Sequence, residues 1–172
     1  MHEIEVKILE VDVSKVRARL AAIGAVKVFE GIVDASHYEL KGRQGRLGKR
    51  GVSLRLRTKG DYVELAAKKK LQVDGVKARD EFEIVCSDRE AMERILELVG
   101  LRKTDHITKH RVSYEHGTVK YEFDTLPDIP TLLEIEAKSV TALRRAVANV
   151  GYRMRDTVPY STNEVLRHYA GR

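Results

Sequence analysis

Hydrophobic and polar residues alternate with a period of two along most of this chain, in eight segments separated by turns or helical stretches. A period of two places successive side chains on opposite faces of a β-strand. The predicted strands are residues 2–9, 25–40, 52–59, 62–70, 78–86, 102–116, 118–125 and 131–138. Gly60-Asp61 and His116-Gly117 fit tight hairpin connections. The pattern therefore predicts a chain built mainly from strands that pair with their neighbours.

Four other segments follow the helical period, with apolar residues three and four positions apart. They are residues 12–24, 88–100 and 139–151, which each end at a glycine, and a short helix from Ser161 to about residue 169. Asp88 is a good N-cap, and Ser161 and Glu164 form a capping box. Residues 41–51 are rich in Gly, Arg and Lys and predict a mobile basic loop. Because no linker interrupts the pattern, we expect a single α+β domain over residues 1–172.

The polar strand faces carry mostly ionisable side chains, often with like charges two positions apart, as in Arg55 and Arg57. Such neighbours lie roughly 6.5–7 Å apart on the same side of a strand and repel each other unless an opposite charge or a ligand compensates. One interpretation is an antiparallel sheet with a solvated face. The other is a closed barrel of about eight strands, in which carboxylates and cations face each other across a lumen. The alternation by itself leaves both open.

The excess of basic over acidic residues favours negatively charged binding partners. Lys and Arg number 32 against 26 Asp and Glu, a net charge of +6 that suits nucleic acid, a membrane surface or a small polyanion. No apolar run approaches the ~20 residues that span a bilayer, and the start Met1-His2-Glu3-Ile4-Glu5 is acidic where a secretion signal is basic. We therefore expect a cytoplasmic protein with no membrane partner. The single cysteine, Cys86, predicts a buried structural thiol.

The types of charged residue indicate which ligands the protein could bind, namely metal ions and phosphate groups. Carboxylate pairs bind Mg²⁺ or Mn²⁺ well, because hard cations prefer oxygen ligands. Lysine and arginine clusters bind phosphate oxygens, and arginine can do so with two hydrogen bonds. Carboxylates and cations enclosed together would suit a highly charged phosphate chain with its metal ion.

The N-terminal segment Glu3-Ile4-Glu5-Val6-Lys7 resembles the Glu-x-Glu-x-Lys signature of the CYTH, or triphosphate tunnel metalloenzyme, superfamily. That superfamily includes class IV adenylyl cyclases, thiamine triphosphatases and inorganic triphosphatases. The further matching elements, in chain order, are Leu54-Arg55-Leu56-Arg57, Lys68, Arg79-x-Glu81-x-Glu83, Lys109-x-Arg111, Asp124 and Glu134-Ile135-Glu136. The resemblance implies a closed eight-stranded antiparallel β-barrel, the triphosphate tunnel, with helices packed on the outside. The chain departs from the family at Ala35-Ser36-His37-Tyr38-Glu39, where members often carry an Asp-x-Tyr-Phe-Asp-like stretch.

The resemblance also implies roles for individual residues. The residues expected to bind the triphosphate are Lys7, Arg55, Arg57, Lys68, Arg79, Lys109 and Arg111. The residues expected to bind Mg²⁺ or Mn²⁺ are Glu3, Glu5, Asp124, Glu134 and Glu136. The residues expected to act in catalysis are Glu3, Glu5, Lys7 and Lys109, and further lumen residues are Glu81 and Glu83. The general base is left open.

The function implied is metal-dependent hydrolysis of a phosphoanhydride bond in tripolyphosphate, a nucleoside triphosphate or thiamine triphosphate. A class IV-like adenylyl cyclase, which forms cyclic AMP and pyrophosphate from ATP, would use the same phosphate and metal groups. Non-catalytic polyphosphate binding is a further alternative. Nucleic acid is disfavoured as a partner, because aromatic residues make up only 6% of the chain and there is no Trp for base stacking. The physiological triphosphate, the number of metal ions and the formation of a homodimer are left open by the sequence.

Overall fold

The computed structural model describes residues 2–42 and 46–171, apart from the side chains of His2 and Glu3. The strands are β1 (His2–Ile8), β2 (Val26–Leu40), β3 (Val52–Lys59), β4 (Tyr62–Leu71), β5 (Lys77–Cys86), β6 (Leu101–His116), β7 (Val119–Thr125) and β8 (Leu132–Ala137). The helices are α1 (Val13–Ala22), α2 (Arg46–Lys49), α3 (Arg89–Leu98), α4 (Val140–Asn149) and α5 (Thr162–Ala170), with one 3₁₀ turn at Met154–Asp156.

The eight strands form one closed barrel in the order β1-β5-β4-β3-β2-β6-β7-β8, with the helices on the outside. Neighbouring strands pair antiparallel, as in β1 with β8 and β3 with β4. Each strand agrees with its predicted bounds to within one residue. The predicted fold class is therefore confirmed. Over the part of the chain that is described, no helix has the length and apolar character needed to cross a membrane.

Local side-chain hydrogen bonds place the helix starts where the sequence predicted them. Asp88 accepts a hydrogen bond from the backbone N–H of Ala91 and thereby caps α3. Ser161 and Glu164 form the predicted capping box of α5. At the end of α4, Gly151 adopts a φ of 88°, a left-handed conformation that favours glycine and that turns the chain toward Tyr152.

The predicted loop at residues 41–51 contains one ordered helical turn, α2. The buried carboxylate of Glu39 accepts hydrogen bonds from the backbone N–H groups of Leu47, at 2.9 and 3.1 Å, and of Leu40, at 2.9 Å. Burial opposes ionisation of Glu39, but these backbone donors outweigh it and hold the pKa of Glu39 below its ordinary value. The interpretation of the segment as a mobile loop is corrected at Arg46–Lys49, while residues 43–45 lie outside the described part.

Contacts group the chain into two compact units, and each has its own core. The first unit consists of Gly31–Leu71 and Arg79–Lys109, and the second consists of His2–Glu30, Gln72–Ala78 and His110–Arg172. In the first unit, Tyr38, Leu56, Cys86 and Leu96 form a small buried cluster. Cys86 is thus a buried free thiol, as predicted. The single-domain assignment stays a prediction.

The second unit has the larger core, on the face of β1, β7 and β8 that α1 and α4 cover. It includes Val6, Leu20, Tyr121, Ile135 and Leu143, all fully buried. Since alternate residues point to opposite faces, packing this apolar face turns Glu5, Lys7, Glu134 and Glu136 to the face away from the helices.

Candidate active site

Strand register in the second unit gathers charged residues from four strands, β6, β7, β8 and β1, on one face. The cross-strand pairs are Glu5–Glu136, Lys7–Glu134, Glu122–Glu134, Lys120–Glu136 and Arg111–Asp124. Residues paired directly across antiparallel strands share a face, with Cβ atoms roughly 4.5–5.5 Å apart. Glu5 and Glu136, which are 131 positions apart in the sequence, thereby become neighbours, and most of the charged groups on this face are buried.

Three carboxylates of this face form a candidate metal-binding triad. One oxygen each from Glu5, Glu134 and Glu136 lie within 4.8 Å of one another. The three residues are buried, with 5%, 7% and 9% of their surface exposed. Oxygen ligands of Mg²⁺ lie at about 2.0–2.1 Å from the ion in an octahedral arrangement, so adjacent ligands are about 2.9 Å apart and opposite ones about 4.2 Å. Small side-chain movements would bring the triad to these spacings, and its donor chemistry fits a hard divalent cation.

The buried carboxylates of the face also fit an added cation. The carboxylates in ion pairs there are Glu5, Glu122, Asp124, Glu134 and Glu136, and their cationic partners are Lys7, Lys77, Arg111 and Lys120. Buried carboxylates need compensating charge, and a divalent ion would supply part of it at the triad.

Of the five predicted metal ligands, the triad contains Glu5, Glu134 and Glu136. Asp124 lies on the same face, but both of its oxygens accept hydrogen bonds from Arg111, at 2.6 and 2.7 Å. The side chain of Glu3 lies outside the described part of the chain. The metal-binding roles of all five stay predictions.

Lys7 is a permanent cation inside the carboxylate cluster. Its Nζ donates to Glu5 Oε1 at 3.0 Å and also pairs with Glu134. Burial disfavours the charged ammonium, but the two carboxylates outweigh burial and raise the pKa of Lys7 above its ordinary value. Lys7 is therefore suited to holding an anion and unsuited to accepting a proton.

Lys77 is a member of the cluster that sequence reasoning missed. It lies at the first residue of β5 and its Nζ pairs with Glu5. Burial lowers the pKa of Lys77, and the carboxylate of Glu5 offsets this only in part. The predicted strand began one residue later, but Lys77 stands two positions before Arg79 in the same alternation, and that spacing was the available signal.

Arg111, a predicted phosphate ligand, is engaged by carboxylates on three sides. Besides its two bonds to Asp124, its Nη2 lies 3.3 Å from Glu134 Oε1, and its Nη1 pairs with Glu122. Burial by itself would lower the pKa of Arg111, but the carboxylates of Asp124 and Glu122 outweigh burial and raise this pKa above its ordinary value. Ser113 donates to Glu122 at 3.1 Å and fixes that carboxylate as well. The arrangement makes Arg111 an anchor of the carboxylates, and its role toward phosphate stays a prediction.

In the first unit, the pairing of β3 with β4 places three other predicted phosphate ligands, Arg55, Arg57 and Lys68, on one face of the sheet. Arg57 pairs with Glu64. Lys68 Nζ lies 2.8 Å and Arg55 Nη2 3.8 Å from oxygens of Glu81.

Arg57 and Arg79, two predicted phosphate ligands of this unit, also have polar partners. Arg57 Nη2 lies 3.3 Å from Glu83 Oε2, and Arg79 Nη1 donates to Ser53 at 3.0 Å. Glu81 and Glu83, predicted as lumen residues, thus lie beside these cations.

The two carboxylates beside Arg57 have pKa values that are shifted in opposite directions. Burial opposes ionisation of Glu64, but the guanidinium of Arg57 outweighs it and lowers the pKa of Glu64. For Glu83, burial together with the repulsion from Glu64 and Glu81 outweighs Arg57 and raises the pKa. Arg57 is therefore paired more closely with Glu64 than with Glu83.

Strand β2 contributes His37 to this polar face, at the position where the sequence departs from the family pattern. The register of β2 with β3 sets His37 opposite Arg55 and Ala35 opposite Arg57. The positive charges of Arg79 and Lys109 also lower the pKa of His37. Three cations of the first unit therefore act electrostatically on a residue to which the sequence analysis assigned no role.

The chain is similar to one known family and to several solved structures. The family model of the CYTH domain matches residues 1–143. The PH1012 protein from Pyrococcus horikoshii OT3 has 19% sequence identity and a TM-score of 0.76, covering 94% of this chain and 98% of its own. A Vibrio parahaemolyticus protein described as a "putative adenylate cyclase" has 17% identity and a TM-score of 0.81, covering 97% and 98%.

A plant protein is similar over nearly the same length. HpAC1 from Hippeastrum, described as a "putative adenylyl cyclase" that "reveals a dominant" triphosphatase activity, has 14% identity and a TM-score of 0.63, covering 96% of this chain and 95% of its own. At these identities the likeness establishes the fold. No curated protein sequence matches the chain.

Proposed function

The chain belongs to the CYTH family, and from this premise we propose that it is a divalent-metal-dependent enzyme that hydrolyses a phosphoanhydride bond of a triphosphate. The observation that carries the proposal is the buried triad of Glu5, Glu134 and Glu136. Three carboxylates held this close repel one another, and a divalent cation is the partner that relieves the repulsion best. The substrate would be tripolyphosphate, a nucleoside triphosphate or thiamine triphosphate.

The triad would hold Mg²⁺ or Mn²⁺, with Glu3 and Asp124 as further ligands by resemblance to the family. An ion held there would supply positive charge to phosphate oxygens and would increase the acidity of water. Lys7 remains protonated beside the triad and would bind a phosphate oxygen as a fixed cation. Arg111 would keep Asp124 and Glu134 in place through its hydrogen bonds.

By resemblance to the family, the cations of the first unit are expected to bind phosphate oxygens as well. Arg55, Arg57 and Lys68 already have acidic neighbours, which hold their side chains in defined positions. Exchange of a carboxylate neighbour for a phosphate oxygen preserves the charge-assisted hydrogen bond and costs little reorganisation. Arg79 and Lys109 are expected to contribute in the same way.

The test is product analysis with tripolyphosphate, ATP and thiamine triphosphate, each with Mg²⁺ or Mn²⁺. We expect orthophosphate release that stops when a chelator is added. Cyclic AMP and pyrophosphate from ATP would identify a cyclase instead. Binding of the triphosphate without turnover would indicate a non-catalytic binder, and no turnover with any substrate would refute the proposal. A metal-independent, salt-sensitive shift of RNA would revive nucleic-acid binding.

Glu5→Gln tests the assignment of the triad, because it removes one charge and preserves the shape of the side chain. We expect it to abolish metal-dependent turnover. Glu115→Gln is the matched control, since Glu115 lies on β6 and is exposed. Wild-type turnover in Glu5→Gln, or equal loss in both variants, would contradict the assignment.

A further inference from the structure

His37 lies on β2 directly opposite Arg55 of β3, on the polar face of the first unit. A cross-strand pair of this kind brings the two side chains within reach of each other. The imidazole Nδ1 is buried, and no hydrogen-bond partner for it occurs among the described residues. A buried polar atom without a partner is uncommon and costs free energy unless something satisfies it. The ring therefore has an unused hydrogen-bonding group, and an anion bound on this face would be its partner once the ring turns toward it.

The charged groups that act most strongly on His37 lie on three other strands. They are Arg55 on β3, Arg79 on β5, and Lys109 and Asp105 on β6. On its own strand, the nearest carboxylate is Glu39, which is held by backbone N–H groups of Leu40 and Leu47. Among the charged groups that act most strongly on the ring, three are cations and one is a carboxylate, and the cations predominate. Glu81 lies beside Arg55 and compensates part of its charge.

This environment keeps the ring neutral. Burial, followed by repulsion from Arg55 and partly offset by Asp105, lowers the pKa of His37 from 6.5 to about 4. A polyanion bound to the same cations would cancel their repulsion and supply an oxygen for the ring to bond. Both changes favour the imidazolium form.

We propose that His37 is a proton-coupled ligand of the phosphate chain: it takes up one proton from solvent when a polyphosphate binds, and its Nδ1–H then donates to a phosphate oxygen. The proposal rests on the proposed function, because it needs a phosphate chain bound by Arg55, Arg79 and Lys109. The proton balance is simple, since neutral imidazole gains one proton from water or buffer and no covalent bond to phosphorus is formed.

The expected effect follows from linkage. If the pKa returns to its ordinary 6.5 in the complex, protonation strengthens binding about tenfold at pH 5.5 and hardly at all at pH 7.5. The terminal phosphate also titrates near pH 6, so wild-type protein has to be compared with a variant that lacks only the imidazole. His37→Gln is suitable, because the amide can donate a hydrogen bond but cannot take up a proton.

The experiment uses a methylene-bridged triphosphate, which resists hydrolysis, with Mg²⁺ and the full chain. Calorimetry at pH 5.5 in buffers of different ionisation enthalpy gives the number of protons taken up. We expect wild-type protein to take up close to one proton more than His37→Gln and to bind about tenfold more tightly, with the difference gone at pH 7.5. His106→Gln is the matched control, because His106 bonds to Asp34 and is half exposed, and it should behave as wild type.

NMR titration of the His37 ring in wild-type protein provides a second measurement that needs no variant. The pKa of the ring should rise when the analogue binds. Equal proton uptake in wild type and His37→Gln, an unchanged ring pKa, or failure of the analogue to bind would each overturn the proposal. Turnover of tripolyphosphate is measured separately, so proton uptake without turnover would refute the hydrolase and leave the role of His37 standing.

Discussion

Replacing Arg111 with methionine would remove the cation that holds three buried carboxylates in the second unit. Arg111 is only 3% exposed and bonds to Asp124 at 2.6 and 2.7 Å, to Glu134 at 3.3 Å and to Glu122. Methionine fills much of the same volume, so the change is chiefly one of charge. Removing one partner of a buried ion pair typically costs about 3–5 kcal/mol, because the remaining charge stays buried without compensation. For a chain of this size, that loss lowers the Tm by about 6–20 °C.

The free energy of unfolding is measured by urea denaturation at pH 7 in the presence of a chelator. Lys120→Met is the matched control, since Lys120 faces Glu136 at 3.8 Å but is 49% exposed, and we expect a loss below about 1 kcal/mol. Added Mn²⁺ should restore more stability to Arg111→Met than to wild type, because the released carboxylates gain a divalent partner. A loss below about 1 kcal/mol in Arg111→Met, or an equal loss in the control, would refute the anchoring role of Arg111.

Three further measurements probe other parts of the protein. Glu136→Gln should weaken Mn²⁺ binding at least about tenfold in calorimetry, since it removes one of the three charges of the candidate triad; unchanged affinity would exclude Glu136 as a ligand. Gly151→Ala should cost about 1–2 kcal/mol in urea denaturation, because φ is 88° and a Cβ would lie 2.7 Å from Arg19 Nε; a stable variant would contradict this. The free energy of unfolding should fall by up to about 3 kcal/mol as the pH drops from 6.5 to 4, because the unfolded chain takes up a proton at His37 and the folded chain, in which the pKa of His37 is about 4, does not. The variant His37→Gln should lack this part of the loss. The pKa values of Glu5 and Glu64 are lowered in the folded chain, so their contributions are lost only below about pH 4.5.

The sequence by itself determined which residues form strands and which side chains share a face of each strand. Both are local properties, because a period of two places Arg55 beside Arg57 and Glu134 beside Glu136 whatever the rest of the chain does. Helix starts such as Asp88 were predictable for the same reason, since a capping hydrogen bond spans only three residues. The family signature then identified the barrel and most of the charged residues of the candidate site.

The tertiary structure decided which charges meet. Glu5 lies opposite Glu136 because the first and last strands of the barrel pair, and strand pairing over that distance is set by barrel closure and packing of the whole sheet. Lys77 joins Glu5, and Arg111 bonds to carboxylates, because burial forces each charge to find a partner among the neighbours that the fold supplies. His37 stands among cations for the same reason, since its environment comes from strands distant in the sequence.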